Sequence, residues 1–382
     1  MGYVHLEVES VQSAKRPHSS CGDVVMTDRQ ATSTTVLLCD GLGSGVKALV
    51  SATSCATRIR ELLRSGFSPR AAFDRVIRTM NDARSTDLPF AAFALLRVGT
   101  DGSTTVILYE MPDVLLVGAG HAAVLASRKR SVEGAVIGEV NCHLRPGEGV
   151  LLVSDGITQA GIGGGWRNGW GIEEAARFAN SCLAEGTRLP ALPQALHDKA
   201  REIWGRAAGD DCTAVLARCR EGRSVTVFTG PPADRSRDRV VGLDFLQREG
   251  AKVVCGGTTA GIVARVQGGE VEVEPETEPG IAPPRYRIHG IDCVTEGAVT
   301  LNQVYNIWGE DPAGFEEESG VTELLSLLTQ ADRVTIIQGT ARNPASDSVS
   351  YRQQGILSRE RIIPLIADKL TAEGKLVIVE RV

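Results

Sequence analysis

The chain has 382 residues, 42% hydrophobic and 23% charged, and its 41 Lys and Arg against 47 Asp and Glu leave a formal net charge of -6. That is the composition of a folded globular protein long enough for two cores, without the basic footprint of a nucleic-acid binder. No apolar run is long enough to span a bilayer and no signal pattern opens the chain, so a cytoplasmic protein with no membrane partner is expected.

In chain order, "VHLEVES" and the β-branched "TTVLLCD" read as strands. Apolar residues at Leu49, Ala52, Ala56, Ile59 and Leu63 give a helix over 46–63. Ser68 followed by Pro69 starts a second helix that runs to about Ala83. Then come "FAAFALLRV", "STTVILYEM", "VLLVGAG", "AAVLAS" and "GVLLVSD", short apolar strands that suggest antiparallel meanders. "IEEAARFANSCLA" and "LPALPQALHDKAREIWG" read as helices, and "CTAVLARC" closes this half as a strand. The order strands, helices, strands, helices, strand is not that of a doubly wound parallel sheet; helices outside packed sheets fit it better.

"REGRS" at 220–224 reads as a linker. Beyond it, strands and helices alternate: "VTVFTGPP", "DRVVGLDFLQREG", "AKVVCGG", "VTELLSLLTQ", "DRVTIIQG", "RERIIPLIADKLTAEG" and "KLVIVERV". This half is α/β. The acidic, Pro-rich "GGEVEVEPETEPGIAPP" reads as a short hairpin followed by a mobile loop. Gly256, Gly257, Thr258 and Thr259 offer backbone N–H groups and hydroxyls, as an anion cradle or as a plain turn, and match neither nucleotide-loop fingerprint.

Acidic residues punctuate strand ends in the first half: Asp23 in "CGD", Asp40 in "CDG", Asp155 in "SDG", and Asp210 with Asp211 in "GDD". One Asp-Gly pair is an ordinary turn. Several carboxylates at one edge of packed sheets repel one another unless cations lie between them, and hard divalent ions such as Mg²⁺ or Mn²⁺ prefer such oxygen ligands. The nine cysteines are odd in number and lack C-x-x-C spacing, as expected of reduced, mostly buried thiols.

Five motifs in order, "GD" at 22–23, "CDGLGSGVKA" at 39–48, "GAGHAAVL" at 118–125, "LRPGEGVLLVSDGITQAG" at 144–161 and "GDDCTAVLAR" at 209–218, resemble the SpoIIE-type branch of the bacterial metal-dependent phosphatases in the protein phosphatase 2C superfamily. The resemblance implies an α+β fold: an α-β-β-α sandwich phosphatase domain over 1–219, followed by a smaller α/β accessory or regulatory domain over 225–382. It implies two Mn²⁺ or Mg²⁺ ions, with Asp40 bridging them, the Gly41 carbonyl facing one ion, Asp155 and Asp210 on the other, Asp23 approaching the second ion and Asp211 beside the ligands. Asp40, Asp155 and Asp210 would then carry catalysis. The glycine after Asp40 is expected to give an ion access to its carbonyl.

The implied activity is hydrolysis of phosphoserine and phosphothreonine by water activated between the metal ions. The implied partner is a phosphorylated signalling protein such as an anti-sigma antagonist of the STAS type, and the resemblance also admits a homodimer. His121 reads as a structural corner, Arg16 as part of a solvated loop, and Trp166 and Trp170 as packed residues of a Gly-rich loop. The alternative is a catalytically weak, phosphatase-like binding module that senses a ligand or redox state through the C-terminal domain.

Overall fold

The computed structural model describes residues 3–16, 18–43, 45–85, 90–118, 120–132, 134–205, 209–273, 286–310, 319–342 and 355–382. They form two compact units, residues 3–221 and 222–382. The stretch read as a linker is part of both units: a strand runs through Glu221, and the next begins at Ser224.

The first unit is an α-β-β-α sandwich. Strands β1 (Val4–Ser13), β2 (Asp23–Gln30) and β3 (Ser33–Gly41) precede helices α1 (Val46–Arg64) and α2 (Pro69–Ser85). Then follow β4 (Ala91–Gly99), β5 (Ser103–Tyr109), β6 (Val114–Gly118), β7 (His121–Leu125), β8 (Arg128–Val132), β9 (Ala135–His143) and β10 (Gly149–Val153). Helices α3 (Asp155–Thr158), α4 (Ile172–Ala184) and α5 (Leu192–Trp204) lead to β11 (Cys212–Glu221). One sheet has the order β1-β11-β10-β6-β7 and the other β2-β3-β4-β5-β9-β8, with antiparallel pairing throughout.

Both faces of each sheet are covered, which is why the central strands read as unbroken apolar runs rather than alternating ones. In β3, Val36 and Leu38 face the other sheet in a core with Leu152 and Val215. Leu37 and Cys39 face outward and pack against Ile59 of α1 and Phe73 of α2. In β11, Val215 and Ala217 face the other sheet, while Ala214 and Leu216 pack with Ala179 of α4 and Leu196 of α5.

Three strands escaped the sequence reading. β2 and β8 are edge strands. "RKRSV" in β8 is charged and mostly exposed, the composition that keeps an edge from pairing with another chain. β9, "AVIGEVNCH", is the neighbour of β8 in the sheet.

The second unit contains β12 (Ser224–Thr229), α6 (Asp238–Gln247), β13 (Ala251–Cys255), α7 (Gly257–Gln267), β14 (Glu272–Val273), β15 (Tyr286–Arg287) and β16 (Cys293–Thr295). It continues with α8 (Ala298–Asn306), α9 (Gly320–Gln330), β17 (Arg333–Gln338), α10 (Arg359–Ala372) and β18 (Leu376–Arg381). The sheet order is β14-β15-β16-β13-β12-β17-β18. The five strands from β16 to β18 are parallel, and β14 and β15 add an antiparallel edge. Helices α8, α9 and α10 cover one face and α6 and α7 the other. The loop expected to be mobile falls on 274–285, outside the described residues.

Candidate functional site

Antiparallel pairing brings the acidic strand ends together. The start of β2 and the end of β3 lie at the same edge, with Asp23 directly opposite Asp40. In the other sheet, β10 ends where β11 begins, with Val153 opposite Ala214. Asp155, the first residue of α3, therefore lies at the same end of that pair as Asp210 and Asp211, which precede β11.

Hydrogen bonds join the two acidic groups. Thr213 Oγ1, on β11, donates to Asp23 Oδ2 at 2.6 Å. Asp211 accepts from the backbone N–H of Gly22 at 2.7 Å and of Lys15 at 2.5 Å. Asp211 is 5% exposed and uses both carboxylate oxygens on backbone donors, so it ties the segment between β1 and β2 to the mouth of β11. The fully buried Ser154 accepts from Thr213 N at 2.9 Å, which orients the pair from the β10 side.

Electrostatics follow from this crowding. Burial, and then the charges of Asp23 and Asp155, push the Asp40 carboxyl up to about 10, and Asp40 shares a hydrogen bond with Asp155. Burial also lifts Asp23 to about 7, against the opposing pull of the Thr213 and Ser154 hydroxyls. Asp155 is raised as well, first by burial; its Oδ2 accepts from Gln159 Nε2 at 2.9 Å. Carboxylates gathered out of water with too little positive charge hold on to protons. Lys15 Nζ lies 3.6 Å from Asp210, which is 36% exposed.

The donor set suits a hard divalent cation: all oxygen, several carboxylates, and Asp23 Oδ1 buried without a hydrogen-bond partner. The carboxylates are close enough to hold one another's protons without forming a ready-made ligand shell. Among the described residues, no group of three or more His, Cys, Asp or Glu side chains has metal-binding spacing.

Gly41 has a steric role of its own. A Cβ there would stand 2.0 Å from the Ala48 carbonyl oxygen, so the glycine lets α1 press against the end of β3. A Cβ on Gly156, in the other Asp-Gly pair, would stand 2.0 Å from the Asp211 carbonyl oxygen.

A family model for stage II sporulation protein E (SpoIIE) matches residues 30–220, half of the chain. The chain belongs to the SpoIIE family. The matched SpoIIE region contains Asp40, Gly41, Asp155, Asp210 and Asp211, and Asp23 lies just before it. Among solved structures, the PP2C phosphatase domain of SpoIIE from Bacillus subtilis with a fragment of its regulatory domain is 17% identical, with a TM-score of 0.49 over 58% of this chain and 65% of that one. The RsbU and RsbW domains of a Mycobacterium tuberculosis protein are 18% identical, with a TM-score of 0.47 over 64% of this chain and 68% of that one. The SiaA PP2C domain of Pseudomonas aeruginosa is 18% identical, with a TM-score of 0.43 over 55% of this chain and 85% of that one. A search of curated proteins gives no match.

Other residues of the SpoIIE unit singled out by sequence fall as follows. His121 is exposed at the start of β7, and Asn180 of α4 clamps the adjacent Ala122 through its N–H and carbonyl at 2.8 Å each. Trp170 is buried against Phe178, with ring centroids 5.7 Å apart. Trp166 is 45% exposed, with its ring laid against Gly161, where an added Cβ would stand 2.6 Å from Cδ1. Sequence reading missed Lys15, Ser154, Gln159 and Thr213. The signal for two of them was present: Ser154 and Thr213 stand within or next to the acidic motifs, where a buried carboxylate needs hydroxyl donors. All nine cysteines are free thiols.

Proposed function

We propose that the N-terminal unit, a PP2C-type phosphatase domain of the SpoIIE family, is a metal-dependent protein phosphatase acting on phosphoserine and phosphothreonine. The observation that carries this reading is the meeting of Asp23, Asp40, Asp155 and Asp210 from two sheets at one edge, with one buried carboxylate oxygen left without a partner. Asp23, Asp40, Asp155, Asp210 and the Gly41 carbonyl would hold two Mn²⁺ or Mg²⁺ ions. Bound there, such ions would lower the pKa of a water and neutralise phosphoryl oxygens.

The chain's own residues prepare that site. Thr213 fixes Asp23, Ser154 holds the Thr213 backbone N–H in turn, Gln159 holds one oxygen of Asp155, and Asp211 anchors Lys15 and Gly22. Lys15 places a positive charge beside Asp210, where it can attract a phosphorylated substrate. By family likeness that substrate is a phosphorylated signalling protein in the cytoplasm, such as a STAS-type anti-sigma antagonist, and the enzyme works as a monomer or a homodimer. The C-terminal unit would serve as the accessory or regulatory domain.

The test is hydrolysis of p-nitrophenyl phosphate and of a phosphoserine peptide with Mn²⁺, with EDTA, and in Asp40→Asn. Activity should need Mn²⁺ and disappear in the variant; equal rates with EDTA or in the variant would refute the proposal. A second reading, a phosphatase-like module that binds without turnover, draws on the lack of metal-binding spacing among the described residues. It predicts tight phosphoprotein binding with no released phosphate at any Mn²⁺ concentration.

A further inference from the structure

In the second unit the chain builds β12, β13 and β16 outward in one direction, then places β17 and β18 on the other side of β12. In such a sheet the loops after β12 and β17 diverge, and a crevice opens at the carboxyl ends of the strands. A cavity of about 610 Å³ lies at that point. It is lined by Gly230 after β12, by the start of α7 after β13, by Ala341 and Arg342 after β17, and by Arg359 at the start of α10.

Three features of this cavity point to an anionic ligand. Helix α7 begins at Gly257 with no side-chain cap, so its first-turn N–H groups face the crevice end of the sheet unclaimed by the helix. Thr259, in that turn, is 1% exposed, lines the cavity, and its Oγ1 has no hydrogen-bond partner. A buried hydroxyl without a partner is costly unless something fills the site. The guanidinium of Arg359 lies across Gly230, where a Cβ would fall 1.0 Å from Nη1. It is held there by Nη2 donating to the Ala341 carbonyl at 2.9 Å, a fixed fork of the kind that matches phosphate.

The cavity also has features suited to the rest of a molecule. Pro231, Pro232 and Ile262 give it an apolar wall. Glu296 and Glu360 offer acceptors for hydroxyls, while Asp238 is drawn toward Arg265 at 3.9 Å. Its volume falls in the range of small-molecule sites, about 300–1,000 Å³.

We propose that this crevice binds a small phosphorylated sugar-bearing metabolite, with the phosphate on the first turn of α7, the Thr259 hydroxyl and Arg359, and the sugar hydroxyls toward Glu296 and Glu360.

The experiment is calorimetric titration of the full chain, with EDTA present throughout, using ribose 5-phosphate, AMP and GMP, and ribose and adenosine as unphosphorylated controls. At least one phosphorylated probe should bind saturably and its unphosphorylated counterpart should not. Binding by ribose 5-phosphate alone would identify a sugar phosphate, and stronger binding by AMP or GMP a nucleotide. Thr259→Val should weaken binding roughly tenfold, the scale of one hydrogen bond to a charged group. Arg359→Gln should do so by at least as much, with circular dichroism confirming that each variant is folded. Asp40→Asn should bind as wild type does. The proposal fails if no phosphorylated probe binds, if adenosine or ribose binds equally well, if both C-terminal variants keep wild-type affinity, or if Asp40→Asn loses binding.

Discussion

Asp23 and Asp40 stand directly opposite each other across the β2–β3 ladder. Like charges in that position are destabilising, and burial makes the repulsion worse. Burial and its neighbours push the Asp40 carboxyl up to about 10, so at pH 8 it must take up a proton on folding, and Asp40→Asn keeps the shape of the protonated form without that cost. In EDTA at pH 8 the variant's N-terminal unit should be more stable than wild type by about 1–3 kcal/mol, the scale of relieving a buried, uncompensated group. Mn²⁺ should raise the wild-type melting temperature and leave that of the variant nearly unchanged. Tryptophan fluorescence follows the transition, since three of the four tryptophans lie in this unit. A wild type that is more stable than the variant in EDTA would show that the pair is not strained.

The same crowding fixes the sign of a pH dependence. The folded Asp23 titrates at about 7 and Asp40 at about 10, both above the ordinary carboxyl value of 3.8. Between the unfolded and folded values the native state binds more protons than the unfolded one, so stability falls as pH rises. Without metal, wild-type stability should decline from about pH 4 through pH 7 and, for Asp40, on toward pH 10. The difference between wild type and Asp40→Asn isolates that group: their melting temperatures should converge at pH 4 and separate above it. Parallel curves would contradict the assignment. Stabilisation by Mn²⁺ should grow with pH, because ligands must lose protons to bind.

The acidic edge was legible in the sequence because each aspartate follows or precedes an apolar strand, and antiparallel pairing returns alternate strand ends to one side. Asp23 through Asp211 could be chosen on that basis. Their supporting residues could not. Thr213 is one position inside an apolar strand, and its importance depends on reaching Asp23 across 190 positions of chain. Lys15 sat in a stretch read as a solvated loop, and only the fold brings its Nζ to Asp210. The edge strands were lost for a related reason: β2 and β8 lack the buried apolar faces that make β3 and β4 conspicuous. In the second unit, alternation gave the α/β class, while the strand order that opens the crevice is a long-range property.

Thr213→Val tests the support directly. The residue is fully buried, and its hydroxyl both donates to Asp23 Oδ2 and accepts from Gln12 Nε2 at 3.1 Å. Valine has the same shape and leaves Asp23 Oδ2 without its donor, while Gln12 Nε2 keeps the Asp23 carbonyl at 3.3 Å, so the N-terminal unit should lose about 1–3 kcal/mol. Losing a donor should also raise the Asp23 pKa further. The Mn²⁺ concentration for half-maximal activity should therefore rise at pH 7 and recover partly at pH 8.5. Unchanged stability together with an unchanged Mn²⁺ requirement would remove Thr213 from the site.

The Asp-Gly pairs make the last prediction, since two explanations of their glycines give opposite rankings. If the segment after Asp40 needed glycine only for unusual backbone angles, Gly43, with φ at 104° and nothing within 4 Å of an added Cβ, would be the sensitive position. Gly41 lies in the strand, and the obstacle there is the Ala48 carbonyl oxygen, 2.0 Å from an added Cβ. A side chain cannot yield to a helix backbone, so α1 would have to move off β3 and take the Asp40 end of the strand with it. Gly41→Ala should cost on the order of 3 kcal/mol, and Gly43→Ala about 1–2 kcal/mol. Gly156→Ala should behave like Gly41→Ala, because its Cβ would meet the Asp211 carbonyl oxygen at the same 2.0 Å. Urea unfolding of the three variants decides between the explanations. The predicted order places Gly41→Ala and Gly156→Ala well below Gly43→Ala, and the reverse order would mean that the turn, not the close approach of backbones, holds Asp40 and Asp155 in place.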